Sequence, residues 1–429
     1  MLFTWGSNHS GELGHDKADK EKICSLPQRV KGKLLQEKVV QVSLGEMHAG
    51  AIAGGSRCLF TWGSNGGGCL GPQGGEGGEE KGEEGRESQS LLPGRVSFRK
   101  EGSGTELLEG LISLSCGFRN TMVIVGGEGE GAGGSLWVWG DNSHGKLGLG
   151  SSEGMVKEPK RVEGIDGPVK QVCAGSIDVR FFLQVMTTAV TTGGSLFSWG
   201  YGGYGNLGHG SRRSSSVPVK VEFPQPGVKV VSASCTVGQI TPDTSEKKVA
   251  NLCGKEGPHG LCVDTTGAFW SWGTCHKGLL GNVESKILCA EFDELQPYRI
   301  GSPCRDVKGG GPSGYMEGLE GDTALASSIH SALLTKCGRV FCMGCASTGR
   351  MGVEKFDSGL QGGRSRMKCY ISEPTEIGTL REAGLAVIPG GLAAAKRHMA
   401  AIVVQGANQT AVGGSEIPKS PLPSSDVPT

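Results

Sequence analysis

The sequence offers little to a membrane, a polyanion or a catalyst. None of its 429 residues fall in an apolar run long enough to cross a bilayer. No signal peptide is expected either, because the first residues already read as a strand. Excess charge of one sign is missing too: Lys plus Arg and Asp plus Glu both come to 43. A neutral chain has no global field to draw in nucleic acid or an acidic surface. The short basic stretch Arg364-Ser365-Arg366-Met367-Lys368 reads as a surface loop. Ser-His-Asp logic, a Walker loop and a Gly-x-Gly-x-x-Gly in βαβ context are all lacking. The C-x-x-C at Cys342–Cys345 has no second pair at ligand spacing, and zinc takes four ligands. No metal and no cofactor are therefore expected. The 15 cysteines are expected to be reduced, since Cys173, Cys262 and Cys342 hold strand positions where a thiol packs as a small apolar group.

Glycine is the opposite case, at 76 residues, and much of it belongs to one phrase written six times. An aromatic, a spacer, Trp or Met, Gly, four residues, Gly, one residue, Leu or Met, Gly: the copies start at Phe3, Phe60, Trp137, Phe197, Trp270 and Phe341. Trp5, Trp62, Trp139, Trp199, Trp272 and Met343 fill the third slot. Gly6, Gly63, Gly140, Gly200, Gly273 and Gly344 fill the fourth. The two bulky residues are two apart, so they share one face of a strand. The spacer between them is small in most copies (Thr4, Thr61, Val138, Ser198, Ser271, Cys342), which leaves the other face thin. The glycines then supply a tight turn.

Accessory signals recur in register. An apolar run precedes most copies, as in Val39–Ser43 and Val169–Val172. Another follows a polar turn, as in His48–Ile52 and His330–Leu334. Downstream, Pro27, Pro93, Pro159, Pro218, Pro297 and Pro374 are each followed by Val or Ile, and each is read as opening an outer strand. That makes four short strands per unit, the pattern of a β-propeller blade. A linear solenoid is the competing arrangement. Against it, the chain starts on the aromatic strand and its patterned part ends on the strand that normally precedes one. Joining the two would close a ring and remove an exposed edge. The domain reading is a propeller over 1–405, with an acidic Gly/Glu-rich loop at about 71–90 that is too polar to pack. A Ser/Pro-rich tail follows at 406–429.

The phrase W-G-x4-G-x-L-G, with the upstream G-x-x-H-x-A and the downstream P-x-R-V, resembles the regulator-of-chromosome-condensation repeat over about residues 1–405. The resemblance implies an all-β propeller. The usual family form has seven blades and six copies are visible here, so the ring has six blades, or one is eroded, or a segment is missing; the complementary ends favour six.

The polar turn before the second strand of each unit is the candidate partner-binding face: Glu46, His48, Asn120 (beside Arg119), Asp178, His259, His330 and His398 (beside Arg397). In propellers equivalent turns gather on one face. In family members that act as exchange factors, acidic and His residues at this turn contribute to nucleotide release. The resemblance carries that role to Glu46, His48, Asp178, His259, His330 and His398. The structural alternative is that each His bonds the neighbouring turn and fixes blade geometry. A light-sensing branch of the family clusters Trp at this turn, whereas Met47, Phe118, Ile177 and Pro258 stand here, which argues against photoreception.

The function expected is a protein-interaction scaffold without chemistry of its own, docking a protein on one face. Guanine-nucleotide exchange on a Ran-like small GTPase is the alternative, and a ubiquitin-pathway adaptor is a distant third. A monomer in the cytoplasm or nucleus is expected, with no direct nucleic-acid or membrane partner.

Overall fold

The computed structural model describes residues 2–15, 23–45, 47–72, 88–99, 105–107, 109–126, 133–152, 154–175, 186–235, 258–274, 279–281, 293–300, 319–327, 330–345, 370–394 and 399–405. Most of the acidic loop and the whole Ser/Pro-rich tail lie outside them, as do Glu46, Asp178, Arg397 and His398.

Five of the repeats each fold into a four-stranded antiparallel blade. Blade 1 comprises Val39–Leu44, His48–Ala53, Cys58–Ser64 and Gln89–Arg95. Blade 2 comprises Leu111–Cys116, Asn120–Gly126, Gly134–Asp141 and Met155–Arg161. Blade 3 comprises Val169–Ala174, Met186–Thr191, Leu196–Gly200 and Ser215–Lys220. Blade 4 comprises Val230–Cys235, His259–Asp264, Phe269–Thr274 and Asp293–Arg299. Blade 5 comprises Gly321–Ala326, His330–Thr335, Val340–Cys345 and Tyr370–Glu376. The first strand of each blade touches the first strand of the next, which makes it the innermost. A single bridge, Gly134 to Val169, joins blades 2 and 3 into one continuous sheet.

The sixth unit is present as two halves, Phe3–Ser7 with Ile23–Arg29 and Leu385–Ala394 with Met399–Gln405. The N-to-C strand pairing expected from the sequence is corrected here: among the described residues no hydrogen-bonded pair joins the halves. The aromatic face of the first half is correspondingly open, with Phe3 47% and Trp5 61% exposed.

The prolines also depart from expectation. Pro93 is the fifth residue of its strand rather than the first. Opposite Trp62 the register jumps from Thr61–Gly94 to Gly63–Ser90, leaving Leu91, Leu92 and Pro93 in a bulge. The same jump faces Trp5, Trp139, Trp199, Trp272 and Met343. A bulge has no ladder partner for an N–H, so a residue without one fits there. Two short elements were not foreseen: a hairpin of Ser97–Arg99 with Thr105–Leu107, and a helix at Gly378–Glu382.

The apolar core lies between blades. Ile52 and Leu59 of blade 1 pack with Leu111, Val123 and Trp139 of blade 2. Met122, Leu136 and Val138 of blade 2 pack with Val169, Ala189 and Trp199 of blade 3. A blade therefore buries its faces only by stacking, as repeat architectures do.

Candidate functional site

The strand order puts the polar turns and the glycine loops on the same end of the blades. The loop is held first by its own strand. The spacer hydroxyls of Thr4, Thr61, Ser198 and Ser271 each donate to the carbonyl of the loop Leu nine residues on, at 2.6, 2.7, 2.5 and 2.8 Å. The loop is then held by the following blade. The indole N–H of Trp62 donates to the Glu12 carbonyl, that of Trp139 to Cys69, Trp199 to Lys146 and Trp272 to Asn206, all at 2.8–2.9 Å. Each acceptor is the residue just after the second-to-last glycine of the preceding phrase. The terminal glycine lets the indole in: at Gly148, φ is +75° and a Cβ would lie 2.8 Å from Trp199 Nε1. The Trp-Gly glycine turns the chain beneath the polar turn: Gly140 has φ +107°, and a Cβ there would run into the Arg119 carbonyl.

The polar-turn residues join this joint from inside. His48 Nε2 is 3.0 Å from the Thr121 hydroxyl of blade 2, which donates to the Cys69 carbonyl at 2.8 Å. His259 Nε2 is 2.8 Å from the Ser331 hydroxyl of blade 5, which donates to the Leu279 carbonyl at 2.8 Å. Thr187 makes the same donation to Lys146. Each His therefore ties its turn to a hydroxyl of the next blade, and the carbonyl beyond receives both that hydroxyl and, where present, the Trp. Burial pushes the His48 imidazole down to about 4, with Lys146 adding to the effect. A neutral ring suits a hydrogen-bonded interior site.

The described members of the proposed face, His48, Asn120, His259 and His330, are all buried, none above 2% exposed. They lie at blade joints and are separated from solvent, so the face as drawn from the sequence does not present them. Asn120 takes the His position in blade 2, and neither side-chain polar atom has a hydrogen-bond partner among the described residues.

What the same end does present is an aromatic and cationic group, of which the sequence singled out Arg119 alone. The Lys146 side chain is fully buried, its ammonium 2.8 Å from the Phe118 carbonyl, 2.5 Å from Asp141 Oδ2 and over the Phe118 ring. Burial lowers the Lys146 ammonium, and Asp141 opposes that. Burial raises the Asp141 carboxyl, but the Lys146 charge and hydrogen bonds from Lys146 and Ser143 outweigh it and hold the group below the usual carboxylate value. Above this pair, Arg119 stacks on Phe118 in a left-handed turn at φ 55°. His144 meets the Tyr201 ring edge-on at 5.5 Å, and Tyr204 lies 6.1 Å beyond. His144 is exposed, and Arg119, Tyr201 and Tyr204 are half-buried. The available signal was Tyr201, where the other copies carry Ser, Asp, Thr or Cys. Among the described residues no cluster of His, Cys, Asp and Glu has the makings of a metal site.

The regulator of chromosome condensation (RCC1) repeat matches residues 1–52, 133–176 and 193–238. The whole fold agrees: yeast RCC1 (Prp20), solved bound to Kap60, superposes with a TM-score of 0.63 over 95% of this chain and 77% of that one, at 15% identity. Three stretches of this chain therefore carry the RCC1 repeat, and its fold is that of yeast RCC1. Human WBSCR16 superposes with a TM-score of 0.51 at 16% identity, over 94% of this chain and 98% of that one. Among curated proteins, the E3 ubiquitin-protein ligase HERC2 of Mus musculus is 27% identical over 285 residues, 66% of this chain and 5% of HERC2. The ultraviolet-B receptor UVR8 of Arabidopsis thaliana is 24% identical over 354 residues, 82% of this chain and 63% of UVR8. The chain thus spans a small part of the first relative and under two thirds of the second. The matched segments contain the phrases that start at Phe3, Trp137 and Phe197.

Proposed function

We propose that this RCC1-repeat chain is a protein-docking scaffold whose contact surface is the loop-bearing end of blades 2 and 3. The observation that carries the reading is the aromatic and cationic group of Arg119, His144, Tyr201 and Tyr204, the last three on loops that Trp199 and Trp272 tie to the following blade. Tyr and Arg are the side chains that protein interfaces favour, and a rigid base spares the ordering cost of binding. The fold shared with yeast RCC1, whose structure was solved with Kap60, supports a protein partner in general.

Exchange on a Ran-like GTPase is the second reading, supported by the RCC1-repeat match and the fold shared with yeast RCC1. Its residue-level basis is reduced, because His48, His259 and His330 are inside the joints. The HERC2 match supports an adaptor only as one kind of scaffold, since 5% of that protein is matched. The cytoplasmic or nuclear placement stays a proposal beside a mitochondrial relative, RUG3 of Arabidopsis thaliana, at 26% identity.

The test is affinity capture with the intact chain beside a Tyr201→Ala/Tyr204→Ala double variant. A partner retained by the former and lost at least tenfold by the latter supports the surface. Equal retention of every partner places docking elsewhere. A nucleotide-release assay with purified small GTPases decides the second reading, with acceleration by the intact chain as its requirement.

A further inference from the structure

The innermost strands carry a second set of inter-blade ties, independent of the loops. The Ser43 hydroxyl of blade 1 accepts from the Cys116 N–H of blade 2 at 2.8 Å. Ser115 of blade 2 accepts from the Ala174 N–H at 2.9 Å, and Ser234 of blade 4 from the Ala326 N–H at 3.1 Å. Register makes Cys173 the equivalent residue of blade 3, and its sulfur accepts from the Cys235 N–H at 3.4 Å. At this joint alone among the four, both the acceptor and the residue whose N–H it receives are cysteine.

The two thiols are engaged with each other's strands. Cys235 Sγ lies 3.2 Å from the Cys173 carbonyl, and Cys173 Sγ lies 3.6 Å from the Cys235 carbonyl. Cys235 is buried, while Cys173 keeps partial solvent access. Cys173 is thus the accessible member and Cys235 the one waiting behind it.

We propose that Cys173 and Cys235 are an oxidation site, an attacking and a resolving thiol that close a disulfide between blades 3 and 4 on exposure to hydrogen peroxide. The Cys173 thiolate attacks one peroxide oxygen. An S–O bond forms, the O–O bond breaks, and the departing hydroxide takes up the Cys235 proton to give water. The Cys235 thiolate then attacks the Cys173 sulfenic sulfur, the S–S bond forms, and hydroxide leaves, taking up the proton that Cys173 had lost. Two thiols are oxidised by two electrons, and one peroxide is reduced to two waters. The hydrogen bond from the Cys235 thiol holds the Cys173 thiol down at about 7 against its burial, so thiolate is available at neutral pH. The Cys235 thiol is raised, because its proton is shared with Cys173 and because it is buried. In a reducing compartment such a bond is transient and suits a sensor rather than a permanent staple.

The intact reduced chain is treated with hydrogen peroxide, its remaining thiols are alkylated, and it is digested without reductant for mass spectrometry. The expected product is a peptide pair joining Cys173 to Cys235, released by dithiothreitol. The oxidised chain should melt roughly 5 °C higher than the reduced one. Cys173→Ser restores the residue the other joints use, so it should keep the circular dichroism of the parent while losing both the linked peptide and the melting shift. The proposal is overturned if Cys173 and Cys235 are recovered alkylated under conditions that oxidise the exposed Cys337. It is equally overturned if either is recovered as a lone sulfinic or sulfonic acid in place of the linked pair.

Discussion

Trp5 and Trp139 occupy the same slot of the same phrase, yet one is 61% exposed and the other 0%. Trp62, Trp199 and Trp272 are buried like Trp139. The difference is not in the residues around the slot, since Thr4 bonds its own loop as Thr61 does. What Trp139 has is a described socket: it enters the glycine loop of blade 1 and bonds the Cys69 carbonyl. A blade supplies the indole and its neighbour supplies the socket. Burial in this fold belongs to the joint, not to the repeat.

That comparison can be broken most sharply at the indoles themselves. Trp139→Ala should cost roughly 3–5 kcal/mol, because it empties a packed joint and leaves the Cys69 carbonyl with one donor fewer. Trp5→Ala should cost under about 1 kcal/mol, as a surface change away from such features. Chemical denaturation of both variants checks the pair, and equal losses would mean that Trp5 is buried in solution.

The next effect is a pH dependence at the blade 1 to blade 2 joint. His48 is neutral in the fold, titrating at about 4 instead of 6.5, so the unfolded chain binds the extra proton in between. Stability is full above pH 6.5 and falls as the pH drops towards 4, by about 3 kcal/mol in total. His48→Asn, the residue blade 2 has at this position, should remove that part of the slope in a pH series of melts. An unchanged slope would show that other groups set the acid limit.

Smaller differences test the glycines and the spacers. Gly148→Ala places a methyl against Trp199 at φ +75°, whereas Gly6→Ala at φ +116° meets nothing within 4 Å. The first should cost about 2 kcal/mol and the second about 1, the share owed to backbone conformation alone. Thr61→Val keeps the shape but leaves the Leu70 carbonyl without its hydroxyl donor, an expected loss of about 1 kcal/mol. Val138 already stands in that slot in blade 2, so a loss near zero would mean the loop is held from the next blade alone.

The blades were legible because their signals are local. The two-residue spacing of Phe60 and Trp62, the glycines and the prolines all sit within one repeat, and that is enough to read strand, turn and blade. Pro93 was misplaced within its strand because a bulge is a relation between two strands, and only the register opposite Trp62 reveals it. The candidate face was harder still. His48 looks like surface chemistry in sequence, and its partner Thr121 is 73 residues away. The alternative role for these residues was a bond to the backbone of the neighbouring turn, whereas His48 and His259 face a side-chain hydroxyl of the next blade. Tyr201 and Tyr204 escaped notice because a repeat directs attention to what its copies share, while surface chemistry sits where they differ.

One further consequence follows from the carbonyls of Glu12, Cys69, Lys146 and Asn206, each of which faces the blade that comes after. These contacts run head to tail, so the four joints have the same sense. The unit that can be copied or lost without harm therefore runs from the middle of one sheet to the middle of the next. Duplicating such a segment preserves every socket and every plug, whereas cutting at the visible edges of a blade destroys two of them. Growth of the ring by whole joints, and tolerance of long insertions placed between them, are built into the direction of those carbonyls.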